Sequence, residues 1–512
     1  MSVLAVDLGT SMIKTVVFDD DGTEVAVRRL ATEVHRARPG WAEQDMAAVW
    51  AAVTNTVRAA VAEVGDEVRL LALTGQGDGC WLVDSAGRPT GPAILWSDGR
   101  AGPIVERWRR EGVLAEAFRR NGSLTFPGLA NAILRWLAEH DPDRLGRSAA
   151  ALTCDGWVFS RLTGQLVIDE SDASAPFLDL GTRRYSPELQ ALFGMEWAGR
   201  LLPEVRRNGD RIGALTTEAA AELGLPAGLP VVMAPYDVAS AALGVGAVSP
   251  GQACTILGTT LATEVVRDAV DTSGEPAGLT IALDTPGHVL RAYPTLAGTE
   301  VIRWAMGMLG LQAPDQLGAL AEQSPPGAHG LMFLPYLSPA GERAPFLDPK
   351  ARGTLWGLTI EHSRSDVARA VFEGLSLVIR DCLLAAGAAG ELRVCGGGSV
   401  SATWCQVIAD ITGLPTLRST DSEVGAKGAF LTGMVAIGAE PDLAAAAARY
   451  VRVHHAYEPD PERNRQYVQQ YEDFLALREL ARKGWQRLAG RTAPVPAESA
   501  LRLGGRPSCL SV

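Results

Sequence analysis

Two short stretches of this chain set a glycine and hydroxyl residues between apolar runs. In "LAVDLGTSMIKTVVF" Asp7 precedes Gly9, Thr10 and Ser11, and in "ACTILGTTLATEVV" the turn is Gly258, Thr259 and Thr260. Such a turn offers backbone N–H groups and hydroxyls to phosphate oxygens. The adjacent carboxylate, Asp7, suits Mg2+, which keeps several waters and takes few carboxylates. Taken alone, the first turn reads equally well as a hairpin with one tolerated acid. Two of them, one in each half, could face each other across a cleft and grip one triphosphate from both sides. A third stretch, Gly396 to Ser399 in "ELRVCGGGS", lets backbone approach a flat ligand, or serves packing alone. No G-x-x-x-x-G-K-[ST] sequence occurs, and no convincing dinucleotide fingerprint.

The elements that must hold these turns follow from periodicity. "VLAVDL", "IKTVVF" and "EVAVRRL" read as three strands, the last two joined at the tight-turn pair Asp21-Gly22. Ala47 to Val64 is predicted helical, with Val49, Trp50, Val53, Val57 and Val61 on one face. "VRLLALTGQ" follows as a buried strand entering a glycine-rich loop. A second unit is expected from near Gly251, after the Gly/Pro-rich boundary Leu243 to Gly251. It repeats the theme: strand, Gly-Thr turn, strand, then a long helix with Ser363 and Asp366 spaced as a capping box, then strand, glycine loop and helix. The fold class is α/β. The expected domains are 1–247 and 248–490, with a weakly ordered tail over 491–512.

The chain has 512 residues, 47% hydrophobic and 21% charged, with net charge −12. That balance leaves no basic surplus for nucleic-acid phosphates. No apolar run is long enough to span a membrane, and Asp7 interrupts the one candidate signal core. Seven scattered cysteines without a C-x-x-C pair fit reduced thiols and a cytoplasmic location. His454-His455 is the one close histidine pair, and no zinc-type spacing is present.

The motifs "DLGTS", "TGQGDG", "WSDGRA", "LGTT", "GERAPFLDPKARG", "ARAVFEGL", "CGGGSVSATWCQ" and "EVGAKGAFLTG" stand in the order of the FGGY carbohydrate kinases. The resemblance runs from about Val3 to Gly438, and its C-terminal motifs are highly specific. It implies an actin-like, ribonuclease-H-like duplicated fold of two domains around a central nucleotide and sugar cleft. It implies ATP and Mg2+ as cofactors. By position, Asp7 resembles the Mg2+-associated aspartate. Gly9, Thr10 and Ser11 resemble the first phosphate turn, with Lys14 close by, and Gly258, Thr259 and Thr260 the second. Gly397, Gly398 and Ser399 resemble the adenine and ribose loop, and Gly425, Ala426 and Lys427 would flank the nucleotide. Asp237, in "MAPYDVASAALG", resembles the base that takes the proton of the attacking hydroxyl; it could also cap the Ala-rich stretch after it.

The loop aligned with the family's sugar contact is Gln76, Gly77, Asp78, Gly79, where xylulokinases read Gln-Met-His-Gly. That departure, with Ile133 where a family signature has lysine, resembles the erythritol and L-xylulose kinase branch. Asp98 and Arg100 could contact hydroxyls or pair with each other. Trp96 could stack on the sugar or belong to the core. The implied function is an ATP-dependent kinase of a small neutral polyol or ketose, erythritol-type favoured. The alternatives are a xylulokinase-like ketopentose kinase and a non-catalytic actin-like ATP- or sugar-binding sensor. The presence of both Asp7 and Asp237 argues against a degenerate relative. Repressor relatives carry a DNA-binding segment before the first phosphate strand, whereas this sequence opens on that strand. The implied partner is the small-molecule substrate, without nucleic acid or membrane; a homodimer is left open.

Overall fold

The computed structural model describes residues 2–63, 67–285, 287–387 and 390–489. The tail expected over 491–512 and the last residue of the first expected helix, Val64, lie outside them. The chain forms two compact units. The first comprises Met1–Cys254, Glu264–Ala292 and Ser419–His454; the second comprises Thr255–Thr263, Tyr293–Arg418 and the chain from His455 onward.

In the first unit the three expected strands are β1 (Ser2–Leu8), β2 (Met12–Phe18) and β3 (Glu24–Ala31), and the helix α1 is Met46–Val61. A six-stranded sheet runs in the order Ile212–Ala214, Pro230–Met233, Val68–Gly75, β1, β2, β3. Strand β1 is parallel to Val68–Gly75, which is parallel to Pro230–Met233, while β1, β2 and β3 are antiparallel. Three parallel strands therefore end at one edge of the sheet. Asp7 lies opposite Lys14 on one side and Thr74 on the other. The turns Gly9–Ser11, Gln76–Gly79 and Pro235–Asp237 all leave from this carboxyl edge, where α/β sheets place ligands.

Buried apolar residues cover both faces. Leu4, Val6 and Leu8 pack with α1 and the helix Cys154–Thr163 on one face. Val3, Ala5 and Val16 pack with the helices Val424–Ala436 and Leu443–Tyr450 on the other. The helix Val424–Ala436 lies against Asp237–Gly244 so closely that a Cβ on Gly428 would stand 1.9 Å from Ser240 O. Only glycine permits that approach.

In the second unit the strand Leu392–Cys395 pairs in parallel with residues of Thr416–Ser419, and Met332–Leu334 pairs antiparallel with Thr354–Trp356. The expected capping box opens the helix Arg364–Ala386: Ser363 and Asp366 each accept the other's backbone N–H. The strands Ala253–Leu257 and Leu261–Arg267 flank the second Gly-Thr turn. Among the described residues no helix is long and apolar enough to cross a membrane. The six described cysteines are all buried free thiols.

Candidate active site

Asp7 owes its place to register. The Lys14 ammonium beside it lies 3.5 Å from Asp7 Oδ2 and 2.8 Å from Glu423 Oε2. Glu423 also accepts Arg29 Nε at 3.1 Å and Nη2 at 2.6 Å, and its own N–H donates to Glu24 at 2.8 Å. Burial raises the pKa of Asp7, Lys14 opposes that, and Glu423 adds to it. Burial alone would lower the pKa of Lys14, but Asp7 and Glu423 outweigh it and hold the ammonium charged. A Cβ on Gly425 would stand 3.4 Å from Asp7 Oδ2, so the start of the helix Val424–Ala436 lies beside this carboxylate.

Ala426 and Lys427 do not share that position. Ala426 is fully buried, and the Lys427 ammonium bonds Gly22 O and lies 3.1 Å from Asp421 Oδ1. Two residues turn a helix by about 200°, so a lysine two positions after Gly425 faces the opposite side. Of the three residues expected to flank the nucleotide, the structure brings Gly425 to Asp7 and turns the other two into the packing.

The first Gly-Thr turn is tied down by side chains. Thr10 Oγ1 donates to Gln76 Oε1 at 2.8 Å and accepts Trp96 Nε1 at 3.0 Å. Thr10 O accepts Thr32 Oγ1 at 2.7 Å and Gln44 Nε2 at 2.8 Å, and Gln76 Nε2 donates to Gln44 Oε1 at 2.9 Å. Trp96 is half-buried and Ser11 is exposed. With the Thr10 hydroxyl committed to Gln76 and Trp96, the turn presents its backbone and Ser11 outward.

The loop Gln76–Gly79, expected to contact the substrate, takes its shape from strain and close packing. Asp78 has φ 57°, in the left-handed region that aspartate tolerates better than most residues, and Gly79 follows at φ 71°. A Cβ on Gly77 would stand 2.3 Å from the Tyr236 ring. Tyr236 is the N-cap of the helix Asp237–Gly244, so Asp237 is its first helical residue. The Tyr236 N–H donates to Ser171 Oγ at 3.0 Å, and Ser171 donates to Asp169. Asp237 Oδ1 accepts the Val238 N–H at 2.7 Å. Burial, then Asp7, Asp78 and Asp155, push the Asp237 pKa up to about 8, against the Val238 hydrogen bond.

Asp98 and Arg100 take the pairing alternative. Asp98 accepts Arg100 Nε at 2.9 Å and Nη2 at 2.8 Å, and its Oδ2 also accepts the Ala42 N–H at 2.6 Å. Arg100 reaches Glu43 at 2.7 Å and lies 3.7 Å from the centroid of the Trp41 ring. Both side chains are buried, and the pair braces the segment Trp41–Glu43.

Sequence reasoning missed Gln44, Glu423, Tyr236 and a buried carboxyl pair, Asp155 and Asp172. Asp155 is fully buried, accepts Thr153 Oγ1 at 2.7 Å and meets the Asp172 carboxyl. Burial raises both pKa values and Asp169 adds to each, while the contact between the two carboxyls raises Asp172 and lowers Asp155. Each of these residues depends on partners distant in sequence, which left no local signal.

In the second unit the Gly258–Thr260 turn is held by backbone. Gly258 O accepts the Thr299 N–H at 2.9 Å, at the start of the helix Thr299–Met308. A Cβ on Gly298 would stand 2.4 Å from Thr259 O and 2.5 Å from Thr260 Cα. Thr259 is exposed at the tip. The glycine loop lies against the strand Ala253–Leu257 and the Trp404 ring: a Cβ on Gly398 would stand 2.4 Å from that ring and 2.8 Å from Leu257 Cβ, whereas one on Gly397 would meet nothing within 4 Å. Ser399 is buried, its hydroxyl 2.7 Å from Gly396 O. The open surface of this loop is therefore its backbone at Gly396 and Gly397.

Models of the N-terminal and C-terminal domains of the FGGY family of carbohydrate kinases match residues 2–244 and 256–437. The chain belongs to this family. It is 30% identical over 510 residues to an erythritol kinase of Brucella abortus, covering 95% of this chain and 98% of that one. It is 31% identical over 487 residues to a xylulose kinase of Escherichia coli, covering 93% and 98%. The solved xylulose kinase of Rhodospirillum rubrum superposes with a TM-score of 0.87 at 28% identity, covering 95% of this chain and 100% of the other. The chain is thus an ATP-dependent sugar or polyol kinase with the two-domain, actin-like α/β fold of its family.

Proposed function

We propose that this kinase transfers the γ-phosphate of ATP to a hydroxyl of a small neutral polyol, erythritol-type first, with Asp237 as general base. The observation that carries the reading is the gathering of Asp237, Asp78, Asp155 and Asp172 around the substrate loop, near enough for their charges to act on one another. Asp237 stands at a helix start, fixed by the Val238 N–H on one oxygen. The other oxygen can take the proton of the attacking hydroxyl. A carboxylate pushed up to about 8 is a stronger base than an ordinary aspartate.

Asp7 and the Gly9–Ser11 turn are the residues that would hold Mg2+ and the phosphates, and a single carboxylate ligand, Asp7, with Gly425 beside it fits an ion that fills its shell with water and phosphate oxygens. Bound there, Mg2+ would supply neutralisation of the phosphate charge. Lys14, kept charged by Asp7 and Glu423, adds a fixed positive group at the same edge. On the second unit, the Gly258–Thr260 turn and the backbone of Gly396 and Gly397 are the proposed phosphate and adenosine contacts. Catalysis is then mostly positioning and charge neutralisation.

The acidic surroundings disfavour an anionic acceptor. At 4–6 Å and an effective dielectric near 20, each like-charge contact costs about 3–4 kcal/mol before screening. A substrate carboxylate such as that of gluconate would face more than one. The relatives include erythritol and xylulose kinases at nearly equal identity, so a ketopentose is the second reading. Gln76-Gly77-Asp78-Gly79, in place of the xylulokinase loop, favours the polyol. The test is kcat/KM for erythritol, L-xylulose, D-xylulose, glycerol and gluconate. Erythritol or another neutral polyol leading the series supports the reading; gluconate leading it overturns it.

A further inference from the structure

Beside the substrate loop, wholly within the first unit, lies a cavity of about 40 Å³. Its walls are mainly apolar, including Leu134, Leu152, Phe177 and Ala173, and Asp78 and Asp172 also line it. Asp78 is half-buried, whereas Asp172 is 7% exposed on the short buried helix Glu170–Ala173. Apart from the Asp155 carboxyl, no N–H or O–H of the described residues donates to either Asp172 oxygen. Its partner is the Asp155 carboxyl, whose Oδ1 is occupied by Thr153. Two buried carboxyl groups in contact cannot both ionise, so the pair shares a proton. That leaves lone pairs of Asp172 on a mainly apolar cavity, an arrangement too costly to keep unless a polar group meets them.

The size of the cavity limits that group. It exceeds the roughly 10–15 Å³ that one water needs, yet it is far too small for a whole sugar. A CH2OH group fits on both counts: its carbon lies on the apolar wall and its hydroxyl donates to a carboxylate. A terminal carboxylate would meet Asp78 and the one negative charge that the Asp155–Asp172 pair retains, and a terminal methyl would leave Asp172 unmet.

We infer that Asp172, braced by Asp155, forms with Asp78 a subsite that receives the terminal hydroxymethyl of a neutral acceptor, remote from the hydroxyl that is phosphorylated. The subsite rests on the kinase reading above and sets which acceptors the enzyme takes. It selects chains that end in an alcohol, and its depth limits their length.

The test uses the full-length enzyme with MgATP and the best acceptor of a tetritol and pentitol series. Beside it are assayed the analogue lacking the remote terminal hydroxyl and the acid of the same chain length. Wild type should prefer the polyol to either analogue by about 100-fold or more in kcat/KM. Asp172→Asn should cut the preference over the deoxy analogue about tenfold, mainly through KM. Ala173→Val narrows the cavity without altering a carboxylate, and should raise KM for the pentitol more than for the tetritol. Thermal melting and ATP affinity report whether each variant is folded. Should Asp172→Asn not fold, the wild-type preference and Ala173→Val decide. A wild type that accepts the deoxy analogue as well as the polyol overturns the subsite, as do folded variants whose ratios do not move; in both cases the kinase reading stands. A wild type that phosphorylates no neutral polyol or ketose overturns both.

Discussion

The two Gly-Thr turns share a sequence theme but are fixed in different ways. Around Gly9–Ser11 most of the work is done by side chains, beside a backbone bond from the Thr32 N–H to Ser11 O: Thr10 alone engages Gln76, Trp96, Gln44 and Thr32. Around Gly258–Thr260 it is done by backbone, with the start of the helix Thr299–Met308 pressed onto the turn at Gly298 and Thr259 left exposed. The first turn is therefore linked mechanically through Gln76 to the loop Gln76–Gly79, the proposed acceptor loop, whereas the second rests on backbone of its own unit. A short motif specifies the turn and leaves open what holds it, and what holds it decides which substrate a mutation there will affect.

The largest expected effect lies at Gly298. A valine would drive its Cβ into backbone 2.4 Å away, and backbone cannot step aside as a side chain can. Gly298→Val should lower kcat/KM for ATP by about 100-fold or more, the scale of a roughly 1 Å misplacement. Steady-state kinetics with ATP varied would show this, and near-normal values would mean that the second turn tolerates displacement.

Thr10→Val and Thr259→Val put the contrast directly. Thr10→Val breaks the bonds to Gln76 and Trp96 and should lower kcat/KM for the acceptor about 10-fold or more. Thr259→Val should change it less than about 3-fold, since Thr259 is exposed at the tip of its turn and a surface substitution away from such bonds costs little. Equal effects would remove the distinction between the turns.

Lys427→Met sharpens the comparison from a residue that proximity in sequence would assign to the nucleotide. It leaves Asp421 without its buried cation and should cost about 3 kcal/mol of stability, while KM for ATP stays within about 2-fold. Denaturant melts and ATP titration separate the two outcomes.

The smallest effect is a pH dependence of stability. The folded-state pKa of Asp237, about 8, lies above the ordinary value of 3.8, so between those values the folded state holds a proton that the unfolded chain has lost. Stability is then lost as pH rises through that window. Asp237→Asn should melt a few degrees above wild type at pH 8, on the order of 1 kcal/mol, and the advantage should shrink toward pH 5. A constant difference across that range would contradict the raised pKa.

Much of this was legible in the sequence because it is local. The strand–turn–strand units, α1, and the Ser363–Asp366 capping box depend on neighbours a few residues apart. The family motifs identified the chemistry because their order along the chain is itself a pattern. The rest is long-range. Gln44 matters because it bridges Thr10 and Gln76, and Glu423 because it reaches back to Lys14 and Arg29. Asp155 and Asp172 each look like ordinary acids in a first helical turn until the fold puts them in contact. Gly77 could be read as loop freedom, whereas its structural reason is the Tyr236 ring 2.3 Å from where a Cβ would stand.

The central claim is that Asp237 takes the proton of the acceptor hydroxyl. Its most direct test is single-turnover transfer from ATP to the best neutral polyol by Asp237→Asn, with nucleotide affinity measured by calorimetry on the same sample. The account predicts unchanged ATP affinity and a transfer rate lower by about 100-fold or more, the range of general-base catalysis. An Asp237→Asn enzyme that transfers phosphate at near the wild-type rate would contradict it.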